Sequence, residues 1–209
     1  MPYFGTYTND TEDPELFATY MPKLDAYRAK LTAGILDEYK LPESLIPKGY
    51  GYDVTDIPEK ILTSKEITIT NSKAVEIVDQ IATGNWTSVE VFKAFAKRAT
   101  AAHQLVNCAL ELFIEEGLKR ATELDEFYQK TGKVVGPLHG LPITLKEQMN
   151  YAGHITHAGY VGLIDNITKE NALHTDILYE AGAIFYIRTT QCQSMMQICS
   201  VQVKLQFVL

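Results

Sequence analysis

Residues 136–147 have the sequence GPLHGLPITLKE. Two glycines and two prolines within the first seven of these residues give the backbone a tight, rigid path into the strand candidate at residues 143–145. Lys146 comes directly after them, at the strand end where α/β sheets carry functional groups. The run therefore predicts a buried strand that presents one lysine at its carboxyl end.

The chemistry of Lys146 has three interpretations at this point. Burial favours the neutral form of a lysine, which can then take a proton from a serine hydroxyl, as in Ser–Lys hydrolases. Spacing alone favours a simpler alternative, a solvated lysine at the end of a strand. A phosphate-binding loop is disfavoured, because the run lacks the GxxxxGK[ST] spacing and Lys146 follows a strand instead of opening a helix.

Helices and short apolar strands alternate outward from this run. The apolar spacing predicts helices over residues 22–39, 73–83, 87–103, 115–130 and 170–182, and strands over residues 108–114, 143–145 and 183–187. Thr87 and Glu90 have the spacing of a capping box, and Gly84, Gly132 and Gly182 are predicted helix stops. This order predicts an α/β fold with some parallel strand pairs.

The pattern also divides the chain. Residues 1–68 show little periodicity and are predicted to be a helical and coiled N-terminal arm, while residues 69–200 form the main domain. The tail, residues 201–209, alternates apolar and polar residues, as a half-buried strand does. Such a terminal strand has an uncovered edge, so we expect self-association through the sheet edge.

Composition excludes several classes of protein. With 46% hydrophobic residues among 209, the chain has enough apolar surface to fold. A net charge of −7 disfavours nucleic acid as a partner, and no apolar run is long enough for a membrane span. The start of the chain does not resemble a secretory signal, and its three cysteines form no CxxC pair. We therefore expect a protein of the reducing cytoplasm.

No metal site is predicted. His154 and His157 are three residues apart, but no third ligand follows at a recognisable spacing, so we expect a turn with polar surface residues. His139 is expected to be a structural hydrogen-bonding group. The three cysteines (Cys108, Cys192 and Cys199) are expected to be buried and inert.

Three segments together resemble the first half of the amidase signature family. They are GPLHGLPITLKEQ, Gly159-Tyr160, and the helix end EAGAIFYIRTTQ followed by QSM. From about residue 20 to residue 200 the chain is similar to fungal amidases of the acetamidase type. The resemblance implies a mixed sheet with flanking helices and the hydrolysis of a small carboxylic amide without metal or cofactor. It also implies a Ser–cis-Ser–Lys triad with Lys146 as its lysine, and Met195 and Gln197 on the acyl-binding side.

The chain departs from the family pattern at its serines. The family places both in a glycine-rich block of the form GGSSGG, and none occurs within these 209 residues. Ser194 and Ser200 lack the flanking glycines that form an oxyanion pocket. Cys192 stands where relatives often have proline, and Glu147 where Asp is frequent. We therefore expect a truncated amidase that is inactive alone.

Two alternatives remain beside the amidase interpretation. One is a non-catalytic pseudo-enzyme or mis-spliced fragment that acts, if at all, as a binding or interaction module. The other is an unrelated small-molecule-binding α/β domain, which is disfavoured because no phosphate or dinucleotide fingerprint is present.

Overall fold

The computed structural model describes residues 14–48 and 52–192. Seven α-helices and three β-strands lie within these residues. In chain order they are α1 Pro14–Ala33, α2 Ile57–Ile61, α3 Ser64–Asn71, α4 Ala74–Ala82, α5 Ser88–Val106, β1 Glu111–Leu112, α6 Ile114–Thr131, β2 Pro142–Lys146, α7 Leu173–Glu180 and β3 Ile184–Thr189. Short 3-10 turns lie at Asp37–Tyr39, Glu43–Leu45 and Val161–Leu163.

The three strands form one mixed sheet in the order β1-β3-β2. Strand β2 runs parallel to β3, with Lys146 opposite Thr189. Strand β1 runs antiparallel to β3, with Glu111 opposite Arg188. The connection from β2 to β3 passes through a long irregular segment, residues 147–172, and then α7. Both parallel strands therefore end at the same edge of the sheet.

Helices α5 and α6 pack together and cover one face of the sheet. Phe92 on α5 and Leu124 on α6 are buried in one cluster with Ile184 and Ile187 of β3. The helices approach closely at Gly117, where an added Cβ would lie 2.2 Å from the Phe92 ring. A glycine is required there because any larger side chain would overlap that ring.

The start of α5 shows how local sequence sets an element. The Thr87 side chain accepts from the Glu90 N–H and the Glu90 carboxylate accepts from the Thr87 N–H, so the predicted capping box is confirmed. Asp125 on α6 also accepts from the N–H groups of Ser88 and Val89, at 2.7 and 3.0 Å. The N-terminus of α5 is thus capped by residues of its own sequence and by a side chain of the neighbouring helix α6.

The α/β prediction is confirmed, with several differences in the bounds of the elements. The first helix spans Pro14–Ala33 instead of residues 22–39, and it runs through Pro22. Its Leu24 and Tyr27 are buried against Leu110 and Ile164, and this packing holds the helix despite the proline.

The arm also contains α2 and α3, which the sequence analysis missed although Thr63 and Glu66 form a capping box at the start of α3. The strand predicted over residues 108–114 shrinks to Glu111–Leu112, because α6 already begins at Ile114.

The division of the chain at residues 68 and 200 stays a prediction. The strand predicted over residues 201–209 lies outside the described residues. Among the helices that the structure describes, none is long and apolar enough to cross a membrane.

Candidate active site

Lys146 is the last residue of β2, at the carboxyl edge shared with β3. Its side chain is exposed, and its Nζ donates to the carbonyl oxygen of Thr190 at 3.0 Å. Among the described residues, no serine hydroxyl accepts from this amine. The predicted position at a strand end is confirmed, and the exposed side chain matches the solvated alternative instead of a buried, neutral amine.

The backbone before β2 fixes where the strand begins. Gly140 has φ +78°, and an added Cβ there would lie 2.6 Å from the Ser88 hydroxyl, so the position requires glycine. Its N–H donates to the carbonyl of Gly182 at 2.9 Å, and the Leu138 N–H donates to that of Ala181. These bonds hold the run beside the start of β3, which places the two strand ends together.

His139 is buried in this run and has a structural role, as predicted. Its Nδ1 accepts from the Val135 N–H at 3.0 Å. Burial lowers the pKa of His139, which keeps the ring neutral and its Nδ1 available as an acceptor.

Glu147, the residue after Lys146, is fully buried. Its carboxylate accepts from the His157 N–H at 2.5 Å and from the Ala158 N–H at 3.1 Å. Ala158 has φ +51°, a left-handed conformation that is strained for a residue with a Cβ. One carboxylate therefore holds a strained turn against the end of β2.

A second group of charges, buried except for Glu116 on α6, joins β1, β3, α6 and the irregular segment. The Arg188 Nη2 donates to Glu111 Oε2 at 2.7 Å and to the Ile155 carbonyl at 2.5 Å. His154 lies between Glu111 and Glu116, with its Nδ1 and Nε2 at 3.0 and 3.2 Å from their oxygens. The Tyr151 ring stacks on the imidazole at 4.7 Å. Each charge in the group is thus paired with an opposite one.

The two carboxylates decide the protonation of His154. Burial alone would lower its pKa, but the hydrogen bonds to Glu111 and Glu116 outweigh burial and raise the pKa of His154 to about 9. The ring is therefore doubly protonated near neutral pH and donates to both glutamates. His157 behaves in the opposite way, since burial lowers its pKa and Glu147 only partly opposes that effect.

The prediction of a polar surface turn at His154 and His157 is wrong, because both side chains are buried. The carboxylates that accompany them were missed. The sequence does contain one indication of these buried contacts. Each of two apolar strands includes a charged residue, Glu111 in β1 and Arg188 in β3. A charge in such a place needs a buried partner.

The cysteines and the predicted substrate contacts lie partly within and partly outside the described residues. Cys108 is exposed, so its predicted burial is wrong, and Cys192 is half-buried. Met195 and Gln197, the predicted substrate contacts, lie outside the described residues, as do Ser194, Cys199 and Ser200.

The described residues also include no cluster of three or more His, Cys, Asp or Glu side chains that could hold a metal ion. A cleft of about 200 Å³ between α1 and α6 has Lys30, Glu111, Glu116 and His154 in its wall, and Lys146 does not line it.

Comparison with known sequences finds relatives that are all named as amidases. The family described as Amidase matches residues 90–203. The chain is 43% identical over 171 residues to the acetamidase of Emericella nidulans. The aligned region covers 81% of this chain and 30% of that protein. It is 44% identical over 171 residues to the acetamidase of Aspergillus oryzae, with coverage of 81% and 31%. The chain thus spans about a third of the length of these curated relatives.

Comparison with solved structures agrees. A fatty acid amide hydrolase superposes with a TM-score of 0.84 at 46% identity, over 92% of this chain and 35% of that one. The peptide amidase of Stenotrophomonas maltophilia superposes with a TM-score of 0.53 at 26% identity, over 59% and 25%.

Proposed function

The chain belongs to the amidase family, and from this premise we propose that it carries the lysine-bearing part of an amide hydrolase site. The observation that carries the proposal is the position of Lys146 at the carboxyl edge of two parallel strands, in the family-like run GPLHGLPITLKE. The substrate class is a small carboxylic amide, as the names of the acetamidase relatives suggest.

The proposed role of Lys146 is proton transfer. In the triad that the family resemblance implies, the amine takes a proton through a bridging serine from the attacking serine and returns it to the leaving amine. The attacking oxygen forms a bond to the amide carbon as its proton leaves, and the C–N bond breaks as the nitrogen is protonated. Such a positioned base contributes about 10² to 10⁴-fold in rate.

We propose that residues 1–209 alone do not hydrolyse amides, because their sequence has no GGSSGG block. Loss of the nucleophile in a serine hydrolase removes about a million-fold in turnover. Purified chain incubated with acetamide or benzamide should release no more ammonia than the Lys146→Ala variant. Release that Lys146→Ala abolishes would refute this part of the proposal.

A chimera tests the role of Lys146 directly. Residues 20–192 of this chain would replace the matching segment of the Emericella nidulans acetamidase, which is 43% identical. We expect hydrolysis by the chimera and a loss of about 10³-fold in kcat with Lys146→Ala, as for a missing general base. Lys169→Ala, at an exposed lysine, is the control. Equal activity of Lys146→Ala and the control would contradict the proposal.

A non-catalytic binding or interaction role is the second candidate function. It is favoured by one observation, that no described serine accepts from the Lys146 amine. Sequencing the transcript beyond codon 200 separates the two candidates: an in-frame GGSSGG block favours the hydrolase, and a stop codon favours the non-catalytic role.

We also propose a cytoplasmic location, which the free thiol of Cys108 supports. Fluorescence of a tagged chain expressed in its own host tests that location.

A further inference from the structure

Glu147 and Lys146 are neighbours in sequence with opposite environments. Successive side chains of an extended chain point to opposite faces, so the Lys146 side chain is exposed while that of Glu147 is fully buried. Complete burial of a glutamate is rare without partners, because the desolvated group must be hydrogen-bonded to be tolerated. The partners of Glu147 therefore indicate what it does.

Every hydrogen bond that the Glu147 carboxylate makes to described residues goes to one turn. It accepts from the His157 N–H at 2.5 Å and from the Ala158 N–H at 3.1 and 3.2 Å to its two oxygens. Within the turn, the Gly159 N–H donates to His157 Nδ1 at 3.0 Å. The left-handed conformation of Ala158 persists only where its surroundings hold it, and Glu147 supplies that hold.

The backbone of Glu147 pairs with β3 close to the group that binds the Lys146 amine. Its N–H donates to the Thr189 carbonyl at 2.9 Å, which continues the β2–β3 ladder one residue past Lys146. The next carbonyl along, that of Thr190, accepts from the Lys146 amine. The amine is thus held to the residue that directly follows β3, the strand whose pairing Glu147 extends.

We propose that Glu147 is a positioning residue, which holds the Lys146 amine in place by tying the turn 157–159 to the end of β2. This inference rests on the proposed function, in which Lys146 is the proton-transferring group. Removal of the carboxylate leaves the buried His157 N–H and the half-buried Ala158 N–H without an acceptor, so the turn moves away and the last β2–β3 bonds open.

Competitive acylation of lysines tests the proposal without any need for hydrolysis. The chain is treated briefly with an N-hydroxysuccinimide ester at fixed pH, and mass spectrometry gives the rate at Lys146 relative to exposed Lys169. Glu147→Ala should raise this ratio about fivefold, the change that loss of one hydrogen bond produces. Glu147→Asp keeps the carboxylate and should return the ratio to within about twofold of the unaltered chain.

Glu116→Gln is the matched control. It removes a carboxylate that contacts His154 in the same segment and leaves the Glu147 contacts intact. The acylation ratio should not change in this variant. An unchanged ratio in folded Glu147→Ala, or an equal rise in Glu116→Gln, would overturn the proposal.

Hydrogen exchange in the unaltered chain decides the matter even if Glu147→Ala does not fold. If one carboxylate unites the turn and the strand end, the amides of Glu147, His157 and Ala158 open together, with protection factors within about threefold of each other. Protection of Glu147 more than about tenfold above that of the two turn amides would overturn the proposal. Neither measurement depends on catalysis, so the positioning role and the proposed hydrolase can fail separately.

Discussion

His154 is the residue whose charge depends most directly on the tertiary structure. Glu111 and Glu116 outweigh burial and raise its pKa from 6.5 to about 9. Burial opposes the effect at Glu111, but hydrogen bonds to the His154 ring help to hold the pKa of both carboxylates below its ordinary value. A raised folded pKa gives a stabilisation that is complete below pH 6.5 and is lost as the pH rises through about 9. The lowered carboxylate pKa values give stabilisation above their ordinary value of 4.5, lost at lower pH.

We therefore expect the free energy of unfolding to fall between pH 6.5 and 9. The fall should be about 1–2 kcal/mol, less than the full shift implies because Glu116 is half exposed to solvent. Urea denaturation across this range measures it.

The control for this prediction is His154→Gln, which keeps a polar side chain but cannot take up a proton. The difference in stability between the two chains should be largest near pH 6 and should vanish as the pH rises through about 9. The buried histidines His103, His139 and His157 have lowered pKa values, so they reduce stability only on the acid side of that window. Parallel pH profiles for the two chains would contradict the assignment.

At the scale of elements, α5 depends on α6 for part of its cap. The Asp125 carboxylate accepts from two of the N–H groups that begin α5, where a negative charge also favours the helix dipole. Asp125→Ala should therefore lower the free energy of unfolding by about 2 kcal/mol, as expected for hydrogen bonds to a charged group. Chemical denaturation measures the change.

Glu126→Ala serves as the comparison for Asp125→Ala. Glu126 is the next residue on α6, it is exposed, and its replacement should alter stability by less than about 0.5 kcal/mol. If both variants lose the same stability, the loss reflects α6 itself and not the cap of α5.

At the scale of the whole molecule, the described surface has an open sheet edge and exposed apolar side chains. Strand β2 pairs with β3 along one edge, and no described strand pairs with its other edge. On α7, Leu173 and Ile177 lie one turn apart and are 77% and 56% exposed. Exposed apolar side chains and open sheet edges both promote association.

We predict that the 209-residue chain self-associates at micromolar concentration. Size-exclusion chromatography with light scattering should show dimers or larger species. The Leu173→Lys, Ile177→Lys double variant should shift them toward the monomer, whereas His174→Lys, at an exposed polar position between them, should not. A sharp monomer peak for the unaltered chain would contradict the prediction.

Local sequence was sufficient for a large part of this structure. The capping box at Thr87, the helix stop at Gly132 and the apolar strand before Lys146 involve residues within a few positions of each other, so spacing reveals them. The family also follows from sequence alone, because the run over residues 136–147 is both short and specific.

The contacts of charged side chains with distant groups were decided only by the tertiary structure. Arg188 meets Glu111 from 77 residues away, and Asp125 caps α5 from 37 residues away. Glu147 meets the turn at Ala158 from 11 residues away, across a segment without regular structure. Such contacts depend on strand register and on the path of an irregular segment. Helix and strand periodicity describe only which face of an element a side chain occupies, so they carry no information about which distant group faces it.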